Sequence, residues 1–358
     1  MTKTDIKSMN YSELSVFLTE LGEPAFRTGQ LFEWLHKRHV TSFDEMTNLS
    51  NALRRKLSEN CELTVLQKVE CLCSQLDGTR KYLFRLPEGE VKLRNNVIES
   101  VLMKYKHGNS VCISSQVGCR MGCRFCASTI GGLERNLTPA EMLEQIYRIE
   151  EDTGERVSNV VIMGTGEPMD NLDNVLRFLE LVSSDKGINI SKRNITVSSC
   201  GLVPEIKRFA DSNPDATLAL SLHAPNDELR RTLMPVANKF TVKEILEATD
   251  YYFQKTGRRI TFEYSLVKGV NDGKEQALEL AGLLKGRNCH VNLIPVNPVK
   301  ERGYHATERP DVLNFQKLLE KNHINVTIRR EMGSDINAAC GQLRKSYSES
   351  LSGEGVVQ

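Results

Sequence analysis

From about residue 110 to residue 330 the chain alternates short apolar runs with longer amphipathic stretches, and this alternation constrains the fold more than any other feature. The apolar runs fall at 110–115, 158–163, 193–198, 216–222, 259–266, 290–295 and 324–330. Helical spacing of apolar residues marks most of the intervals, as in 172–182 and 274–284. Strands that alternate with helices pair in parallel through right-handed crossovers. The expected class is therefore α/β, with a full or partial βα barrel. Such a barrel carries its functional residues at the C-terminal ends of its strands.

Two smaller regions come first. Residues 1–60 read as a helical unit. In Phe26–His36 the spacing puts Phe26, Leu31, Trp34 and Leu35 near one face, a short helix starts at Ser42-Phe43-Asp44, and 49–57 continues the pattern. Residues 61–106 read as an antiparallel ribbon. Its strands are Leu63-Thr64-Val65-Leu66, residues 81–86 and residues 97–105, separated by the turns Asp77-Gly78 and Pro87-Glu88-Gly89. The barrel then occupies 107–345, and the polar tail 346–358 reads as disordered.

Charge excludes little. Lys and Arg number 47 against 46 Asp and Glu, so a nucleic-acid surface has to be local. The N-terminus is polar, and no apolar run approaches the roughly 20 residues that span a bilayer. A cytoplasmic protein is expected. Ten cysteines in a reducing compartment point to ligation or catalysis rather than disulfides.

Three of them stand in Cys119-Arg120-Met121-Gly122-Cys123-Arg124-Phe125-Cys126. A 4Fe–4S cube is usually held by four thiolates, so three leave one iron open to a small ligand. Zinc with a distant fourth ligand is the competing reading, and Cys112 lies seven residues away. The C-x3-C-x2-C spacing, with Phe125 before its last cysteine, resembles the radical S-adenosylmethionine superfamily. That resemblance implies a partial (βα)6-type radical SAM barrel. It also implies a 4Fe–4S cluster on Cys119, Cys123 and Cys126, and S-adenosylmethionine bound to the free iron and cleaved to a 5′-deoxyadenosyl radical.

Other strand ends suit that cofactor. Gly164-Thr165-Gly166-Glu167-Pro168 offers close backbone approach and a carboxylate, although a plain tight turn explains it equally well. Ser198, Ser221, His223 and Asn297 end further apolar runs with groups suited to hydroxyls, a carboxylate or adenine edges. The resemblance assigns Gly166, Glu167, Ser198, Ser221, Leu222, His223 and Asn297 to cofactor binding.

The remaining cysteines divide. Cys61, Cys71, Cys73, Cys200 and Cys289 read as small buried hydrophobes. Cys340 lies among small residues in a loop able to reach the barrel mouth, where a thiolate can be methylated or attack. Cys112-Ile113-Ser114-Ser115-Gln116, Gly166-Glu167-Pro168, Ser221-Leu222-His223-Ala224-Pro225-Asn226-Asp227 and Ala338-Ala339-Cys340-Gly341-Gln342-Leu343 together resemble the RlmN family. These are adenine C2 methyltransferases of 23S ribosomal RNA and transfer RNA. The likeness implies that Cys340 carries the methyl group, Cys112 resolves the adduct through a transient disulfide, and Glu99 takes the C2 proton. From the residues alone, Glu99 reads instead as an exposed strand glutamate. The resemblance also implies a flavodoxin-type reductant and a monomer.

RNA contacts would need local charge, for which Arg54-Arg55-Lys56, Lys192-Arg193 and Arg329-Arg330 are candidates. Two alternatives remain: a related C8 adenine methyltransferase, and a non-catalytic zinc-stabilised RNA-binding protein.

Overall fold

The computed structural model describes residues 3–87, 96–299 and 302–338. Its N-terminal part holds three helices, α1 (Tyr11–Glu20), α2 (Phe26–His36) and α3 (Asn51–Asn60). Asn10 and Glu13 form a reciprocal cap on α1, and Ser50 caps α3 by accepting from Leu53 N–H. A short parallel pair, β1 (Thr4–Asp5) with β2 (Cys61–Glu62), ties the two ends of this part together.

The rest of the framework is one ten-stranded sheet. Three antiparallel strands, β3 (Gln67–Cys73), β4 (Arg80–Arg85) and β5 (Val97–Tyr105), pair on to β6 (Gly108–Cys112). A separate small hairpin follows, β7 (Gln116–Gly118) with β8 (Leu133–Asn136). The parallel strands continue from β6 through β9 (Val157–Ile162), β10 (Ile195–Ser199), β11 (Thr217–Ser221), β12 (Ile260–Leu266), β13 (Cys289–Pro295) and β14 (Val326–Ile328). Helices α4 (Pro139–Thr153), α5 (Leu172–Val182), α6 (Val203–Asp211), α7 (Asp227–Leu233), α8 (Val242–Thr256), α9 (Lys274–Leu284) and α10 (Arg309–Lys321) fill the connections. β14 and β3 are the two edges, so the barrel is partial, as expected.

The helical part docks on α4 through buried polar groups. The Lys7 ammonium, fully buried, donates to Glu144 (2.6 Å) and to the carbonyls of Val40 and Thr64. Tyr147 shares a 2.9 Å hydrogen bond with His36 Nδ1 and stacks on His39.

Two expectations need correction. Leu63-Thr64-Val65-Leu66 is not a strand. Its backbone binds side chains instead: the Thr64 carbonyl accepts from Lys7, and Leu66 N–H donates to Glu144. Phe26 leaves the apolar face of α2, is 62% exposed, and stacks against the Arg27 guanidinium. The antiparallel strands run on into the barrel sheet, because β5 pairs with β6.

Candidate active site

The loop between β7 and β8 carries the three clustered cysteines. Gly118 starts it at φ +75°, and a Cβ there would lie 2.0 Å from the Gly132 carbonyl oxygen. Only glycine lets the hairpin close, and Cys119 N–H then donates to that same oxygen at 3.0 Å. Thr129 Oγ1 binds the carbonyls of Cys123 (3.2 Å) and Cys126 (3.0 Å), and Arg302 donates to Thr129 Oγ1 and to the Cys126 carbonyl. Arg124 N–H donates to the Leu233 carbonyl at the end of α7. The loop is thus held from several sides by backbone and hydroxyl contacts.

All three cysteines line one cavity, together with polar groups from several strand ends. Burial pushes the Cys119 thiol up to about 12, helped by the nearby Glu167 carboxylate and Cys126. Burial, then Cys126 and Cys119, also raise Cys123, against the pull of Arg230. Three thiolates that disfavour one another need a cationic partner to ionise, and the irons of a cluster supply it. Among the described residues, no three Cys, His, Asp or Glu side chains are grouped to hold a single metal ion. Cys112 lies in another cavity, so the four-cysteine zinc arrangement does not form.

The parallel strands present their C-terminal ends to the cluster cavity. Gly166, Glu167, Ser198, Ser221, His223 and Asn297 all line it. The glycines after β9 pack tightly on the segment leading to the cysteine loop: a Cβ at Gly164 would meet Ile113 O at 2.7 Å, and one at Gly166 would meet Gln116 Cβ at 2.7 Å. They serve close backbone packing and so fix Glu167. The buried Glu167 carboxylate accepts from the N–H groups of Cys200 (2.8 Å) and Met169 (3.1 Å), yet burial outweighs these bonds and lifts it to about 7.

Leu222 is fully buried and contributes backbone only, through its N–H to the Glu263 carbonyl and its carbonyl to Arg230. His223 adopts φ 59°. Burial, then Arg230, depress it to about 3, so the ring is neutral. Its Nδ1 accepts from Ser265 N–H at 2.9 Å, which leaves the ring proton on Nε2. Phe125 meets the ring edge-on at 5.0 Å.

A second cavity shares Ile294, Val296, Asn297 and Arg329 with the first. Cys112 lines it with Val101, Met103, Met332 and Ala338. Cys340 and the 346–358 tail lie outside the described residues. Ala338, two positions before Cys340, stands in the same wall as Cys112.

Glu99 is buried rather than exposed, which corrects its reading from the residues alone. β5 is covered on both faces: Ser100 Oγ donates to Gln145 of α4 on one side, and Glu99, Val101 and Met103 occupy the other. Lys81 Nζ lies 3.3 Å from the Glu99 carboxylate. Cys71 and Cys73 are also corrected, being half-buried and exposed respectively, while Cys61, Cys200 and Cys289 are buried as expected. Of the basic pairs, Arg329 and Arg330 line the second cavity. Lys192 and Arg193 precede β10, at the opposite end of the sheet from the cavities. Lys56 pairs with Glu23, and Arg54 donates to the Asp44 carbonyl.

Sequence reasoning missed two buried groups. Glu263 lines the first cavity, with Oε1 accepting from Asn292 and Oε2 buried without a hydrogen-bond partner among the described residues; burial raises its pKa, against the pull of Arg329. Arg230, fully buried, binds the carbonyls of Cys200, Ser221 and Leu222 and so ties the ends of β10 and β11. A lone carboxylate in the apolar run 259–266 was the available signal for Glu263. Arg230 sits in an ordinary charged helix and gave none.

Comparison with known proteins matches residues 113–281 to the Radical SAM superfamily and residues 4–63 to the ribosomal RNA large subunit methyltransferase N-terminal domain. The chain is 63% identical to a probable dual-specificity RNA methyltransferase RlmN of Lachnospira eligens, over 97% of this chain and 98% of that one. It is 60% identical to the similarly described protein of Lachnoclostridium phytofermentans, over 97% and 96%. The crystal structure of a radical SAM methyltransferase from Sphaerobacter thermophilus superposes with TM-score 0.89 at 40% identity, covering 95% of this chain and 99% of that one.

Proposed function

The chain belongs to the RlmN family of radical SAM RNA methyltransferases, and from that premise we propose that it methylates adenine C2 in 23S ribosomal RNA and transfer RNA through Cys340. The observation that carries this reading is the pair of adjoining cavities. One holds the cysteine triad and the strand-end polar groups; the other holds Cys112 beside Ala338. Two chain steps of about 3.8 Å each separate Ala338 from Cys340, so the second thiol is within reach of that wall.

Cys119, Cys123 and Cys126 would hold the cluster. Once bound, the cluster and S-adenosylmethionine supply one-electron chemistry able to abstract a hydrogen atom. Glu167 binds the methionyl ammonium, which favours its ionised form. Gly166 shapes that turn, and Ser198, Ser221, His223 and Asn297 orient the remaining polar groups, with the His223 Nε2–H as a donor. Leu222 contributes backbone alone.

C2–H of adenine is not acidic and its carbon is electron-poor, so direct attack on a sulfonium methyl is closed. The Cys340 thiol gives up its proton and accepts a methyl group, and that carbon, after giving a hydrogen atom to the cofactor that would be bound, bonds to C2. Glu99 takes the C2 proton, and the unpaired electron left on the base would return to the cluster. Cys112, as a thiolate, attacks the Cys340 sulfur; a transient disulfide forms as the sulfur–carbon bond breaks, and the carbon left on the base takes up a proton to become the methyl group. The target base has to leave its stack to reach so enclosed a site. Arg329 and Arg330 at the second cavity suit the approaching phosphates.

The reading extends to a cytoplasmic monomer served by a flavodoxin-type reductant. No described helix is long and apolar enough to cross a membrane. It divides the chain into an RNA-binding unit at 1–60, an extension at 61–106, the barrel at 107–345 and the tail 346–358. Mass spectrometry of nucleosides from reacted transfer RNA tests the chemistry. 2-Methyladenosine supports it; 8-methyladenosine, or no methylated adenosine, refutes it.

A further inference from the structure

We propose that Lys81 is a positioning residue for RNA methylation, holding the Glu99 carboxylate and the root of the Cys340 loop in register on one face of the sheet. The proposal deepens the reading above and rests on its assignment of Glu99 and Cys340.

The sheet register brings these groups together. Lys81 on β4 stands directly opposite Val101 on β5, and Val101 stands opposite Cys112 on β6. Directly opposed residues share a face, so Lys81, Val101 and Cys112 form one lateral row. Glu99 is two residues before Val101 and lies on the same face. The Lys81 side chain is only 5% exposed. Its ammonium is 3.3 Å from the Glu99 carboxylate and donates to the Asn337 carbonyl at 3.3 Å. Asn337 adjoins Ala338, which shares the second cavity with Cys112.

Two further bonds fasten the same loop root to the β3–β4 turn. Gly333 N–H donates to Asp77 (3.0 Å), and Gln75 N–H donates to Asp335 (2.9 Å). These are peripheral and touch no group of the site. Lys81, among the described residues that tether the loop, is the one that also contacts Glu99.

Stability alone does not account for a buried pair here. Removing an ammonium and a carboxylate from water costs more than packing an apolar residue of the same size. A charge kept in this row therefore points to a use for it. An adjacent ammonium favours the ionised carboxylate that a proton acceptor requires. The donated hydrogen bond to Asn337 fixes the distance between that acceptor and a backbone position three residues before Cys340. Lys81 itself touches neither substrate nor cofactor in this role.

The test uses the full-length, cluster-loaded enzyme with Lys81→Met, Lys81→Arg and Glu99→Gln. Two steps are read separately: methylation of Cys340 by intact-protein mass spectrometry, and kcat and KM for 2-methyladenosine formation in transfer RNA. Methylation of Cys340 releases the thiol proton and not the C2 proton assigned to Glu99, so Lys81→Met should leave it within about threefold, while kcat falls on the order of 100-fold, the usual worth of a general base. Lys81→Arg should recover most of that loss. Adding Lys81→Met to Glu99→Gln should lower kcat by less than about threefold further, because both remove one unit. Lys81→Gln replaces Lys81→Met if the latter does not fold. Parallel loss of both steps, or multiplicative loss in the double variant, overturns the proposal. Full activity of Lys81→Met beside an inactive Glu99→Gln overturns the role of Lys81 alone, whereas full activity of Glu99→Gln removes the base assignment beneath it.

Discussion

Gly118→Ala tests whether closure of the β7–β8 hairpin is what assembles the cysteine triad. The added methyl group would stand 2.0 Å from the Gly132 carbonyl oxygen, where contact normally needs about 3.5 Å. Backbone atoms form that obstacle, so no rotamer change relieves it. The residue also keeps φ +75°, which costs an L-residue about 1–2 kcal/mol. Overpacking adds about 1–3 kcal/mol, and displacing Gly132 breaks its hydrogen bond to Cys119 N–H, worth about 1 kcal/mol. The closed hairpin thus loses about 3–6 kcal/mol, or two to four orders of magnitude in population. Gly132→Ala is the control inside the same hairpin. It shares φ +75° but meets no atom within 4 Å, so it pays the backbone cost alone. The assay is iron and sulfide per chain after anaerobic reconstitution, with thermal unfolding to verify the fold. Gly118→Ala should bind under about a tenth of the wild-type iron, and Gly132→Ala should bind most of it. Equal iron in the two variants would refute the claim that this contact closes the loop.

Three further outcomes follow from buried ionisable groups. Glu167 stands near 7 because burial raises it, and the methionyl ammonium favours its carboxylate; S-adenosylmethionine affinity should therefore rise as pH increases from 6 to 8, and equilibrium dialysis should find this slope flattened in Glu167→Gln. His36 is depressed to about 3 by burial, so the unfolded chain binds more protons below its ordinary 6.5; stability present above that pH is lost at up to about 1.4 kcal/mol per unit as pH falls, and His36→Phe should reduce the difference between urea midpoints at pH 7 and pH 5.5. Lys7→Met leaves the buried Glu144 carboxylate with Arg148 (3.2 Å) as its remaining cationic partner and should cost up to about 3 kcal/mol in urea unfolding, short of the full cost of an unpaired buried charge; replacing Glu144 by Gln as well should recover part of that loss.

Strand and helix alternation announced the sheet because the central parallel strands are largely buried, while helices such as α5 and α9 bury one face. Leu172–Val182 and Lys274–Leu284 carry that helical periodicity. The strand ends were legible for the same reason, since polar groups that close an apolar run have to face a cavity or a cap. What stayed hidden was pairing across distance. Glu99 alternates in its strand like a solvent-facing residue, but Lys81 and the loop root cover it from elements far away in sequence. Arg230 looks like any helical arginine until the ends of β10 and β11 supply its three carbonyls. Leu63–Leu66 has strand-like residues, yet Lys7 and Glu144 take its backbone groups first.

The central claim is that the methyl group reaches RNA through Cys340. It is met most directly by Cys340→Ala, loaded with cluster and given methyl-labelled S-adenosylmethionine, a reductant and transfer RNA. The account predicts a full complement of iron, no label on the protein and no labelled 2-methyladenosine. Undiminished label in RNA from that variant would contradict it.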